Sequence, residues 1–246
     1  KGGGKRLAIV ASQNDIFAAN RATGHIALSV AASGGRTRRS TVHEDGSLRV
    51  RFPNGDAGAL EAVIVNTGGG MTGGDRFAIE IAVGEGANLI AGTAAAEKIY
   101  RSNGPDAEMS LRLDLADGAR LAWLPQESIL FDRARLSRRI DIDLADGASL
   151  LIAEAVVLGR AAMGEAMEQG FFADRWRLRR GGRLIYADSA RLDGAIAERL
   201  AQRAVTKGGI ALATVLIAPG DDATLAAVRA LDDTFAGEVG ISSWNG

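Results

Sequence analysis

Apolar and polar residues alternate along three stretches of the chain. Phe77, Ile79, Ile81 and Val83 mark the first, Met109, Leu111, Leu113 and Leu115 the second, and Ile140, Ile142 and Leu144 the third. A period of two sends one face to a core and the other to water, so each stretch reads as a β-strand. The same short signature ends all three: Val83-Gly-Glu-Gly86-Ala-Asn-Leu89, Leu115-Ala-Asp-Gly118-Ala-Arg-Leu121 and Leu144-Ala-Asp-Gly147-Ala-Ser-Leu150. Acidic-Gly pairs supply the positive φ of a tight turn. More apolar segments follow, such as Ala87 to Ala91 and Leu150 to Val157, a composition that suits burial on both faces. The turn glycines are 32 and 29 residues apart, and Gly181-Gly182 offers a degenerate fourth copy. Self-similarity at such a period marks stacked supersecondary units. The predicted fold is mainly β, with stacked β-strand units forming a β-helix-like solenoid from about Arg49 to Leu192. An antiparallel sandwich fits the same short strands.

About two helices are predicted in the C-terminal third. Asp193 can cap one running to about Thr206, with Ile196, Leu200 and Ala204 on one stripe and Gly208-Gly209 as its stop. Past the apolar run Ile210 to Ile217 and the Pro219-Gly220 turn, Asp222 can cap a second, bearing Leu225, Val228, Leu231 and Phe235. Residues 1–19 read as a poorly structured or atypical N-terminal segment, and 20–246 as a single β domain with C-terminal helices, truncated at its C-terminal end.

Gly68-Gly-Gly70-Met-Thr-Gly73 matches G-x-G-x-x-G formally, but a dinucleotide site needs a helix start after the glycines. Here a strand follows, so the loop reads as a structural connection, with Asp75 and Arg76 placed to fix it.

Composition narrows the chemistry. Among 246 residues, 29 Lys+Arg stand against 30 Asp+Glu, a net charge of −1 that does not suit a general binder of nucleic acid or anionic membranes. The longest apolar run falls short of the ~18–20 residues of a membrane span. Leu7 to Ala11 is shorter than the apolar core of a signal peptide, so a cytoplasmic protein is expected. There is no cysteine and there are two histidines, His25 and His43, which leaves only carboxylates in number for binding a metal, and those hold borderline metals weakly. No catalytic residue and no tightly bound cofactor is predicted.

Carboxylates recur after the second strand of each unit: Glu97, Glu127 and Glu154, with Asp132 nearby and Asp188 a further candidate. Stacking would set them in a row able to pass a divalent cation from oxygen to oxygen. Solvated edge charge fits the same spacing, and so does a glycosidase pair, although the chain is only 5% aromatic. Arg175, Arg177 and Arg179 alternate with Trp176 and Leu178, setting three guanidiniums on one strand face as a candidate interface, with a solvated face as the plainer reading. Arg133, Arg135, Arg138 and Arg139 form a second cluster.

Several segments resemble the UreD family of urease accessory proteins, called UreH in some organisms. They are Asn66 to Arg76 (NTGGGMTGGDR), Ala94 to Arg101 (AAAEKIYR), Trp123 to Asp132 (WLPQESILFD), Leu158 to Glu165 (LGRAAMGE), Arg191 to Gly194 and Gly237 to Gly246. The likeness covers about Asn20 to Gly246. It implies a non-enzymatic maturation factor with a stacked β fold. Such a factor would bind apo-urease and UreF, reach the GTPase UreG through UreF, and help insert nickel through an internal passage. Nickel would be a transient passenger at Glu97, Glu127, Asp132 and Glu154. Two further functions fit the residues: an interaction solenoid with no metal role, and a carbohydrate-active enzyme.

Overall fold

The computed structural model describes residues 21–53, 58–231 and 238–243; the N-terminal segment 1–19 lies outside them. Sixteen strands follow one another among the described residues: β1 (Thr23–Ser33), β2 (Arg36–Gly46), β3 (Leu48–Arg51), β4 (Leu60–Asn66), β5 (Arg76–Val83), β6 (Asn88–Thr93), β7 (Glu97–Ile99), β8 (Ala107–Leu115), β9 (Arg120–Trp123), β10 (Ser128–Leu130), β11 (Arg135–Leu144), β12 (Ser149–Arg160), β13 (Glu165–Ala166), β14 (Gln169–Arg180), β15 (Arg183–Ala195) and β16 (Ala211–Ala218). Two short helices, α1 (Ile196–Leu200) and α2 (Asp222–Arg229), come late.

The strands form two stacked sheets. In the first, β1, β5, β8, β11 and β14 run parallel, with β2 and β15 added antiparallel at its edges. In the second, β4, β6, β9 and β12 run parallel, with β7 and β10 continuing the same coils beside β12. Each Gly-containing signature is a corner carrying the chain from the first sheet to the second, which makes the architecture a β-solenoid. Strict alternation explains why the sheets face each other. Leu28, Ile81, Leu113, Ile142 and Leu178 align in register across five strands, and all are buried. Leu89, Leu121 and Leu150 form the facing ladder.

The corners are similar in sequence but not in backbone. Gly86 and Gly118 have φ of 63° and 64°, the positive φ expected of them. Gly147 does not need one. It is small because Asp117 of the preceding corner leans over it: Asp117 Oδ1 accepts from the Gly147 N–H at 3.0 Å, and a Cβ would sit 2.3 Å from that oxygen.

Five expectations shift. The Gly181-Gly182 copy is a hairpin rather than a corner, since β14 and β15 pair antiparallel within one sheet. The stack begins at β1, well before Arg49. Ile90, on a segment expected to be buried on both faces, is exposed. The first helix is one short stretch, because Asp193 remains in β15, hydrogen-bonded through its carboxylate to Arg191, and cannot cap. The second helix is capped by Asp221, whose Oδ1 accepts from the Thr224 N–H at 2.7 Å; Phe235 lies outside the described residues. Among the described residues no helix is long and apolar enough to cross a membrane.

Candidate functional site

Glu97 opens β7 in register with Ser128 of β10, and its N–H donates to the Glu127 carbonyl at 2.9 Å. The coils therefore join Glu97 and Glu127 through their backbones, while Ser128 holds the position across from Glu97. Asn66 Nδ2 donates to Glu97 Oε1 at 2.9 Å, while Asn66 Oδ1 accepts from Gly68 N–H at 2.8 Å, so this carboxylate is joined to the glycine loop. Burial pushes the Glu97 carboxyl from 4.5 up to about 7, against the lowering effect of the Asn66 and Lys98 hydrogen bonds. A raised folded-state pKa means the folded chain holds a proton that the unfolded chain has lost between these values. The resulting stability is complete below pH 4.5 and is lost as pH rises through about 7. Glu97→Gln is therefore expected to gain on the parent as pH rises, to a difference on the order of 3 kcal/mol above pH 7. Urea titrations from pH 5 to 8 check this; parallel curves would show that Glu97 is not protonated on folding.

Glu154, on β12, sits in a different environment. It is 8% exposed and faces inward, where Arg138 Nη1 donates to Oε2 at 2.6 Å and Trp123 Nε1 to Oε1 at 2.7 Å. Arg138 comes from β11 in the opposite sheet and also forks onto Asp174 of β14, at 2.9 and 2.6 Å. Trp176 Nε1 donates to Asp174 Oδ2 at 2.9 Å. Two carboxylates, one guanidinium and two indoles thus form a closed ionic clasp between the sheets. Burial holds the Glu154 carboxyl above its ordinary range, opposed by the Arg138 charge. Burial alone would lower the Arg138 pKa, but Glu154 and Asp174 raise it.

Asp132 follows β10 and is half-buried; its Oδ1 accepts from the Gln169 N–H at 3.1 Å, and Arg133 lies 3.6 Å from its other oxygen. Glu165, paired with Arg160, accepts from the Asp132 N–H at 3.3 Å. Asp188 accepts from the Tyr186 hydroxyl at 3.4 Å; burial, then the Asp188 charge, push this phenol up to about 12. The four candidate carboxylates thus separate: Glu97 and Glu127 share only a backbone contact between neighbouring coils, and Asp132 and Glu154 have neighbourhoods of their own. Among the described residues, no three His, Asp or Glu side chains gather around one point as metal ligands.

The glycine loop leads into strand β5. Asp75, 4% exposed, clamps it: Oδ1 accepts from Ala22 N–H at 2.8 Å and Oδ2 from Thr72 N–H at 2.7 Å. Arg76 reaches across to Glu108 instead, at 3.4 Å. Gly70 is required by close approach, since a Cβ there would meet the Tyr100 ring at 2.4 Å and the Lys98 carbonyl at 2.7 Å.

Arg175, Arg177 and Arg179 do share the outer face of β14, in register with Arg139, Asp141 and Asp143 of β11. Arg175 and Arg177 are exposed and Arg179 is half-buried. Arg138, Asp174 and the paired tryptophans are polar groups that a search for surface chemistry passes over. Their signal is parity. Arg138 falls between Leu136 and Ile140, Asp174 between Phe172 and Trp176, and Glu154 between Ile152 and Val156, so each charge occupies an inward position of its strand.

Fold and site together define a two-sheet β-solenoid scaffold closed by a buried ionic clasp. The family model for the UreD urease accessory protein matches residues 22–246. A urease accessory protein UreD of Rhodopseudomonas palustris strain HaA2 is 58% identical over 236 residues, covering 96% of this chain and 85% of the relative. One from Bradyrhizobium diazoefficiens is 57% identical over 233 residues, covering 95% and 84%. The chain belongs to the UreD urease accessory protein family.

Proposed function

We propose that this chain is a non-enzymatic urease maturation factor: a cytoplasmic scaffold that engages apo-urease and UreF, meets UreG through UreF, and lets nickel pass toward the urease active site. The observation that carries this is the family match over 22–246, on a solenoid whose apolar core encloses one buried group of ion pairs. Nickel is cargo here. Oxygen ligands suit an ion that must leave as readily as it arrives. Glu97 and Glu127 are the best placed of the candidate carboxylates, being joined through their backbones on neighbouring coils and outside the clasp. A carboxyl that titrates near pH 7 exchanges a proton for a cation at little cost, which favours Glu97 as a transient ligand. Asp132 extends this region past β10. Arg175, Arg177 and Arg179 offer a face for a protein partner.

Co-expression with urease and its other accessory proteins tests the reading. Glu97→Ala with Glu127→Ala is expected to leave co-purification with UreF and urease unchanged and to lower the nickel content of the urease produced severalfold. Full nickel loading in this double variant, with Asp132→Ala added, would remove nickel passage through these residues. One observation favours a second reading, an interaction scaffold without a metal role: Glu154 is wholly engaged by Arg138 and Trp123. Under that reading, loss of carboxylates changes stability alone.

A further inference from the structure

The outer face of the first sheet is a lattice of charges whose register can be followed rung by rung. One rung reads Glu80, Arg112, Asp141, Arg177, alternating in sign across four strands. Another opposes Arg76 to Glu108. Asp114 and Asp143 face each other as like charges, and Arg112 bridges them, at 2.8 Å to Asp114 and 3.3 Å to Asp143. The rung Ser110, Arg139, Arg175, Ser189 departs from this pattern. Its two arginines stand directly opposite on neighbouring strands, an arrangement that is destabilising unless an anion lies between them. Arg139 Nε reaches Asp141 at 2.8 Å, while the Arg175 side chain has no hydrogen bond or ion pair among the described residues. Beside this rung the lattice sinks into an open groove of about 480 Å3, where Ala78, Ser110, Ser137 and Ala173 provide small side chains and two hydroxyls.

We propose that this groove docks an acidic, extended segment of a protein partner, one of whose carboxylates sits between Arg139 and Arg175. This deepens, and rests on, the reading of β14 as a docking face. A guanidinium fork matches a planar carboxylate, and the serines can donate to its remaining lone pairs. The small residues leave room for a backbone to lie close to the sheet. Glu108 lines the groove and Asp141 stands on the rung next to Arg139, and both would repel a continuous polyphosphate, so a peptide with separated acidic residues is the complementary occupant rather than a nucleic acid. The chain's net charge of −1 agrees with that choice.

The test uses the full chain and a fluorescein-labelled peptide of about ten residues alternating Glu and Ala. Anisotropy is expected to show saturable binding, at least about tenfold weaker in R139E/R175E and about threefold weaker in Arg175→Gln. R36E/R38E, with the same change of net charge on β2, should bind within about twofold of the parent. Equal weakening in both double variants would reduce the effect to diffuse charge and overturn the proposal. So would the absence of saturable binding, or equal binding of a Lys-Ala peptide. Displacement by inorganic phosphate beyond that by chloride of equal ionic strength would identify a small-anion site and overturn the peptide assignment. Because the peptide is read on the isolated chain, its failure is distinguishable from a failure of urease maturation.

Discussion

Replacing Arg138 by methionine is expected to destabilise the chain by about 3–5 kcal/mol, more than any surface substitution. The guanidinium is 3% exposed and is shared by two carboxylates from different sheets. Methionine fills most of the volume but leaves Glu154 and Asp174 facing each other without a cation. Each retains an indole N–H, which cannot neutralise a charge. Folding would then require proton uptake, so the variant should recover part of its stability as the solution is acidified from pH 8 to pH 5. Glu154→Gln, which keeps an acceptor for Trp123 and leaves Arg138 paired with Asp174, should cost less than Arg138→Met. Urea midpoints for the parent and both variants check the order. Equal and small losses would mean that the clasp is solvated in solution and does not join the sheets.

The second large effect lies in the apolar ladder. Leu113 is fully buried, with Ile81 and Ile142 in register on either side. Leu113→Ala is expected to cost about 2–5 kcal/mol, the transfer loss plus the cavity left in a middle rung that cannot collapse along the stack. Leu184→Ala removes a side chain that is 49% exposed and should change stability by less than about 0.5 kcal/mol. In a stacked architecture each rung contacts its neighbours most, so the Leu113 variant should also expose amides of β5 and β11 to faster hydrogen exchange than those of β2. Uniform exchange across the sheet would show that the solenoid unfolds as one unit.

Much of the fold is legible in local pattern. The alternation of Phe77, Ile79, Ile81 and Val83, repeated twice, announces strands, and the three acidic-Gly signatures announce their turns. The start of the stack is harder to see. Ile26, Leu28 and Val30 alternate as clearly, but no copy of the signature follows them, so repetition points to the later coils only. Asp193 shows a different limit. Its composition suits a helix cap, yet pairing of β15 with β14 competes for the same backbone groups and keeps it extended. The Gly181-Gly182 turn resembles a corner in sequence and closes a hairpin, because the direction taken after a turn depends on which sheet has an edge to offer.

The site divides along the same line. The amino-acid sequence by itself determined that charges occur at inward parity in β11, β12 and β14, that cysteine is absent, and that Arg175, Arg177 and Arg179 share a face. Those properties are carried by residue type and by a period of two, both of which are local. Only the tertiary structure decided which of these groups meet. Arg138 and Glu154 are 16 residues apart in the chain and meet across the two sheets, whereas Arg138 and Asp174 are 36 apart and meet as in-register neighbours on β11 and β14. Strand pairing within each sheet set Arg139 opposite Arg175 and joined the Glu97 and Glu127 backbones. Register is a property of paired strands, fixed by the burial of whole ladders of side chains, and no single strand carries it.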